Sequence, residues 1–149
     1  MTLKNELKIA FPALSCNEKV ARMCITSFIS VMNPSVSELA EIKTAVSEAV
    51  TNCIVHGYRE KEGKVEILVR AYDDNTVIIK ITDHGCGIED VKKAMEPLYT
   101  SAPEEERAGI GFAVMQSFMD RLTVKSEKEK GTVITMEKKI LSSIGALHN

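Results

Sequence analysis

Glu48 and Asn52 stand four residues apart, one turn above each other if their stretch is helical. A carboxylate and a carboxamide stacked this way offer hard oxygen donors of the kind that hold Mg²⁺ or its waters. Plain solvated helix faces carry the same pair, so these two residues decide nothing alone. Asp83-x-Gly85-x-Gly87 is a second constellation. Glycines lack a Cβ and let a backbone turn sharply against a planar ligand. A carboxylate beside them accepts a hydrogen bond from an exocyclic amine such as adenine N6, whereas guanine would face it with a carbonyl and be repelled. A third is Gly109-x-Gly111, read as opening a helix whose free N–H groups form a site for a polyphosphate. It is not a Walker A loop, because the following Lys and Ser/Thr are absent. Gly131-Thr132 adds a hydroxyl that could support the Asp83–adenine contact; as a lone dipeptide it is merely a turn.

The elements that must position these groups follow from the hydrophobic pattern. Over 35–57, Leu39, Ile42, Val46, Ala49, Val50 and Cys53 recur at three- and four-residue steps, an amphipathic helix with Ser35 or Ser37 as cap and Gly57 as its left-handed end. Before it, alternation over 3–11 predicts a strand ended by Pro12. A helix capped by Asn17 then runs to about Met32, with Val20, Met23, Cys24, Phe28 and Val31 inward and Arg22 outward. The β-branched runs 64–72 and 75–82 form a hairpin around Asp73-Asp74, which delivers Asp83 to the end of a strand. A short helix is expected within 89–95, and a mobile polar loop over 97–108. Then come the helix from Gly109, with Phe112, Met115, Phe118 and Met119 inward, and a second hairpin of 122–128 and 132–138. The expected fold is an α/β sandwich: one mixed, mostly antiparallel sheet with helices on one face, in a single domain over 1–149.

Composition narrows the classes. With 149 residues, 44% hydrophobic and 27% charged, the chain reads as an ordinary globular protein. A net charge of −2 gives no basic footprint for nucleic acid. No apolar run is long enough to cross a bilayer, the N-terminus does not resemble a signal peptide, and four cysteines without a CxxC pair suit reduced thiols. The expected location is the cytoplasm.

Taken in order, Glu48/Asn52, Asp83-x-Gly85-x-Gly87, the polar segment, Gly109-x-Gly111 and Gly131-Thr132 resemble the nucleotide-binding series of the superfamily that includes gyrase, Hsp90, histidine kinases and MutL. The likeness covers nearly the whole chain. The stretches 47–58, 97–112 and 13–22 are more particularly similar to the sporulation anti-sigma-F factors, which are serine protein kinases. That resemblance implies ATP and Mg²⁺ as cofactors, Glu48 as general base and Asn52 as the Mg²⁺ ligand. It assigns Asp83, Gly85, Gly87 and Thr132 to adenine, and Arg107, Gly109 and Gly111 to the phosphates and lid. It implies a homodimer that inhibits the sporulation sigma factor F, with Arg22 gripping partners, and that phosphorylates a serine of an anti-anti-sigma factor. Ala102 stands where those proteins usually have lysine, which puts one phosphate contact in doubt. His56, four residues after Asn52, either lines the same pocket or is structural.

Two other classes compete. A nucleotide-switched sigma-binding module without phosphoryl transfer would need Asn52 but no base. A sensor histidine kinase fragment would need a dimerisation helix with a phosphoacceptor histidine, for which the chain has no room; His56 and His84 lie in the nucleotide motifs and His148 in the tail.

Overall fold

The computed structural model describes residues 1–59, 61–96 and 103–142, the side chains of 103–109 excepted. Five strands, β1 (Leu3–Pro12), β2 (Lys64–Tyr72), β3 (Thr76–Asp83), β4 (Arg121–Glu127) and β5 (Gly131–Lys139), form one sheet in the order β1-β2-β3-β5-β4. Every pairing is antiparallel, so the α/β sandwich holds while the expected mixture of strand directions does not arise. The reason lies in the connections. Strands β2 and β3, and likewise β4 and β5, are joined by tight turns at 73–75 and 128–130, and hairpins can only be antiparallel.

Register aligns the inner face into rows. Leu7, Val69, Ile79, Met136 and Leu122 stand opposite one another across the five strands, as do Ile9, Ile67, Ile81, Ile134 and Val124. The next row turns polar: Asp83 pairs with Thr132, and Thr132 with Ser126. Period-two alternation therefore builds an apolar floor and, at one end of it, a polar strip. The outer face carries cross-strand charge pairs, with Arg70 Nε 2.8 Å from Glu6 Oε2 on its register partner.

Helices α1 (Cys16–Ser30), α2 (Val36–Thr51) and α4 (Pro103–Phe118) supply the core's second layer, with α2 packed between the other two; α3 (Val91–Met95) is a short turn of helix. Ile42, Ala45, Val46, Ala49 and Val50 of α2 are buried. Its start is a capping box: Ser35 Oγ accepts from the Glu38 N–H at 3.0 Å, and Glu38 Oε1 accepts from the Ser35 N–H at 2.9 Å.

Three elements differ from the sequence expectation. In α1 the buried face is Ala21, Ile25 and Ile29, while Val20, Met23 and Val31 are exposed. The helix has two apolar stripes, and the one with the smaller alanine allows close approach to α2. Its N-cap is Ser15, not Asn17, whose amide instead donates to the Pro12 carbonyl at 3.0 Å. Second, residues 103–108 are helical and not loop. Pro103 fits the first helical position, and the acidic residues after it are good helix formers placed at the favourable end of the dipole. Gly109 and Gly111 therefore lie inside α4 and do not open it. The rest of the expected loop, 97–102 with Ala102, lies outside the described residues, as do 143–149. Third, Gly57 does not take the left-handed conformation; Arg59 does, with φ 50°.

Candidate functional site

The last turn of the central helix is wound wide. Residues Asn52–Gly57 are π-helical, and the Tyr58 N–H reaches back five residues to the Cys53 carbonyl at 3.0 Å. Such insertions recur at functional sites because the extra residue re-aims side chains. Here Asn52 begins the wide turn. It is buried, it lines a cavity of about 730 Å³, and its carboxamide nitrogen has no hydrogen-bond partner among the described residues. A buried amide without a partner carries a desolvation cost unless a ligand satisfies it.

Glu48, half-buried, lies one turn back. The two groups meet at Gly111. A Cβ built on that glycine would sit 3.1 Å from Glu48 Oε2 and 3.3 Å from the Asn52 amide nitrogen. The second glycine motif thus serves as the flat spot that lets α4 close over both polar side chains, a role different from capping an anion. Glu48 itself is not among the residues that line the cavity.

Across the cavity, Asp83 ends β3 with 3% exposure. Its Oδ1 accepts from the Gly85 N–H at 2.9 Å, and the Cys53 thiol and the Thr132 N–H also donate to the carboxylate. Burial pushes its pKa above the ordinary carboxylate value, and those donors offset part of the rise. Burial likewise drives the Cys53 thiol well up, and the Asp83 charge adds to this. Gly85 has no room for a side chain: its Cβ would fall 2.2 Å from the Gly57 carbonyl, which also accepts from the Cys86 N–H at 2.8 Å. Gly87 has φ 71°, the left-handed region.

Two residues to which the motifs give no role hold this loop. The buried Tyr58 hydroxyl accepts from the His84 N–H at 2.8 Å and donates to the Lys64 carbonyl at 2.6 Å. Ser126 Oγ accepts from the Ile88 N–H at 2.7 Å, donates to the Gly131 carbonyl at 2.9 Å and lies 2.7 Å from Thr132 Oγ1. Ser126 was legible as the third inward position of β4 after Leu122 and Val124; Tyr58 closes the 47–58 stretch, but nothing there announces a hydroxyl that holds the Asp83 loop. Thr132, His56, Gly87, Phe112 and Ile134 join Asn52 and Asp83 in the cavity wall. Its volume falls within the range of small-molecule and cofactor sites.

Of the expected site residues, Asn52, Asp83, Gly87 and Thr132 line the cavity, with Glu48, Gly85 and Gly111 directly behind its wall. Gly109 lies two residues up α4, and the Arg107 side chain is outside the described residues. Arg22 does not belong to this site. It is half-buried on α1, not on its open face, with Nη1 3.6 Å from Glu18 Oε1 and no partner at Nε among the described residues.

Among the described residues no cluster of three or more His, Cys, Asp or Glu side chains could hold a metal. The Asn52 atom without a partner among the described residues is the amide nitrogen, a donor, which suits an anion or water oxygen in the cavity. No helix among the described residues is long and apolar enough to cross a membrane, and all four cysteines are unpaired.

Known proteins resemble this chain in sequence and in fold. Residues 11–138 match the family described as histidine kinase-like ATPase domain. The anti-sigma F factor of Clostridium botulinum (strain Eklund 17B / Type B) is 52% identical over 136 residues, 91% of this chain and 95% of that protein. That of Clostridium perfringens (strain 13 / Type A) is 50% identical over 138 residues, covering 93% and 99%. Among solved structures, the RsbU and RsbW domains of Rv1364c from Mycobacterium tuberculosis superpose with TM-score 0.67 at 18% identity, over 92% of this chain and 33% of that one. The catalytic domain of the histidine kinase ThkA superposes with TM-score 0.56 at 14% identity, over 92% and 97%. At those identities the structures speak for the fold. The family match and the half-identical relatives speak for descent: this chain belongs to the histidine kinase-like ATPase domains and, within them, to the anti-sigma F factors.

Proposed function

We propose that this protein binds MgATP in the cavity between Asn52 and Asp83, transfers the γ-phosphoryl group to a serine of an anti-anti-sigma factor, and inhibits the sporulation sigma factor F by binding it, acting as a homodimer. The observation that carries the reading is a pair of buried polar groups facing one cavity, a raised-pKa carboxylate and an amide whose nitrogen has no partner among the described residues. Asp83 keeps an acceptor for the adenine amine while Gly85 and Thr132 hold its orientation. Gly87 and Thr132 line the base end, and the Asn52 carboxamide oxygen would hold Mg²⁺, which would neutralise phosphate charge, while its amide nitrogen would donate to a phosphate or water oxygen. Glu48 takes the proton from the serine hydroxyl as its oxygen bonds to the γ-phosphorus and ADP leaves. Arg107 and Gly109, on the turns of α4 before Gly111, are assigned to the phosphate side.

The partner surface is α1. Val20, Met23 and Val31 form a stripe at helical spacing, 51%, 59% and 75% exposed, and Leu14 precedes it. Unburied apolar side chains in such a row suit contact with another protein, and Arg22 with its incompletely paired guanidinium stands on the same helix.

A second reading, a nucleotide-switched sigma-binding module without transfer, is favoured by one observation: Glu48 stands behind the cavity wall and not in it. The test is phosphorylation of the anti-anti-sigma factor by wild type and Glu48→Gln with radiolabelled MgATP. The kinase reading expects labelled serine from wild type and a loss of about 10²–10⁴ in rate for the variant with ATP binding retained. Undiminished labelling by the variant, or none by wild type that still binds ATP, supports the switch instead.

A further inference from the structure

Arg59 ends the wide helical turn in a conformation that L side chains avoid, φ 50°. It occupies the position after the C-cap Tyr58, where glycine or asparagine is the usual choice. A β-carbon there is strained against the following carbonyl. Yet the side chain is exposed, lines the cavity that holds Asn52 and Asp83, and makes no ion pair or hydrogen bond with the described residues. Its packing therefore does not account for the strain. The charge around it does offer a reason. Asp83, Glu89, Asp90 and Glu129 line the same cavity together with Lys93 and Lys128, of which Lys128 stands 3.9 Å from Glu89 Oε2 and Lys93 sits on α3. The carboxylates repel a polyphosphate, so its binding calls on cations that they do not already hold, and Arg59 is one. An arginine offers five donors in a planar fork that matches phosphate oxygens.

We infer that Arg59 is a binding residue for the phosphate tail of the nucleotide, held at the cavity wall by a left-handed backbone that costs the fold some stability. This rests on the MgATP reading above and adds to it a contact outside the glycine motifs. The strain makes the inference separable from a structural role, because relieving it should stabilise the fold while weakening the ligand.

The experiment is calorimetric titration of MgATP and of adenosine into wild type, Arg59→Asn and Arg59→Lys, with the melting temperature of each recorded. Asparagine tolerates the left-handed region, so Arg59→Asn should melt at or above wild type. It should bind MgATP about tenfold more weakly and adenosine unchanged. Arg59→Lys, which keeps the charge and loses the fork, should lose about threefold toward MgATP. MgATP affinity unchanged in Arg59→Asn overturns the inference, as does an equal loss toward adenosine or a melting temperature several degrees below wild type. Wild type that binds no MgATP at all sinks the nucleotide reading itself, a result distinct from these.

Discussion

Gly111 shows how a motif residue can be recognised and its task misread. The Gly109-x-Gly111 spacing suggested an anion cradle at a helix start, but α4 begins at Pro103 and Gly111 faces Glu48 and Asn52. The segment before it has no apolar period, which reads as loop, yet Glu104, Glu105, Glu106 and Ala108 favour helix by intrinsic propensity. Asp83-x-Gly85-x-Gly87 was legible because a carboxylate followed by two glycines is a pattern in itself, although the Gly57 carbonyl that forbids a side chain at Gly85 lies far off in sequence. Tyr58 and Cys53 were not, since their contacts with His84 and Asp83 join residues far apart in sequence. The packing at Gly111 gives a prediction. Gly111→Ala should gain helix propensity of up to about 1 kcal/mol. Its methyl nevertheless displaces two polar groups by tenths of an ångström, and phosphoryl transfer should fall about tenfold or more. Melting and kinetic assays run together check this; wild-type activity in the alanine variant would mean the contact is slack.

At the scale of elements, α1 and α2 differ in how much their sequences disclose. α2 has one apolar stripe, which was readable, and a serine cap that the sequence left open between Ser35 and Ser37 and the Ser35–Glu38 box decides. α1 carries two stripes, Ala21-Ile25-Ile29 and Val20-Met23-Val31, and helical periodicity cannot say which one meets the core. The start of α2 also ties down the chain's far end. Glu38 accepts from the Leu141 N–H at 2.8 Å and from the Ser142 hydroxyl, in addition to Ser35. Partial burial works to raise its pKa, but these hydrogen bonds outweigh it and hold the carboxyl at about 2, below its ordinary 4.5. A depressed folded-state pKa means stability present above about pH 4.5 and lost as pH falls through about 2. Urea midpoints measured down that range should decline in wild type, with a shallower decline in Glu38→Gln. Parallel profiles would show that Glu38 is not the group responsible.

The whole molecule is a sheet whose apolar rows end in a polar one, Asp83–Thr132–Ser126, with three helices laid over the same face. The cavity opens where the hydrophobic floor stops and the wide turn of the central helix lifts Asn52 over it. The rows were implicit in the alternation of each strand, but their order across the sheet depends on β5 lying between β3 and β4, which no single strand discloses. Because the cavity is assembled from α2, α3, α4 and the sheet together, a ligand bound there should stabilise the entire fold. At a concentration one hundredfold above its Kd, MgATP should add about 2.7 kcal/mol, a rise of roughly 5–10 °C in Tm. The most direct measurement is thermal melting of wild type and Asp83→Asn with MgATP or MgGTP. Wild type should shift with MgATP and not with MgGTP. Asp83→Asn keeps the acceptor for Gly85 but turns an N–H₂ toward the adenine amine, and should lose the MgATP shift. No shift in wild type, or an undiminished one in Asp83→Asn, would contradict the account.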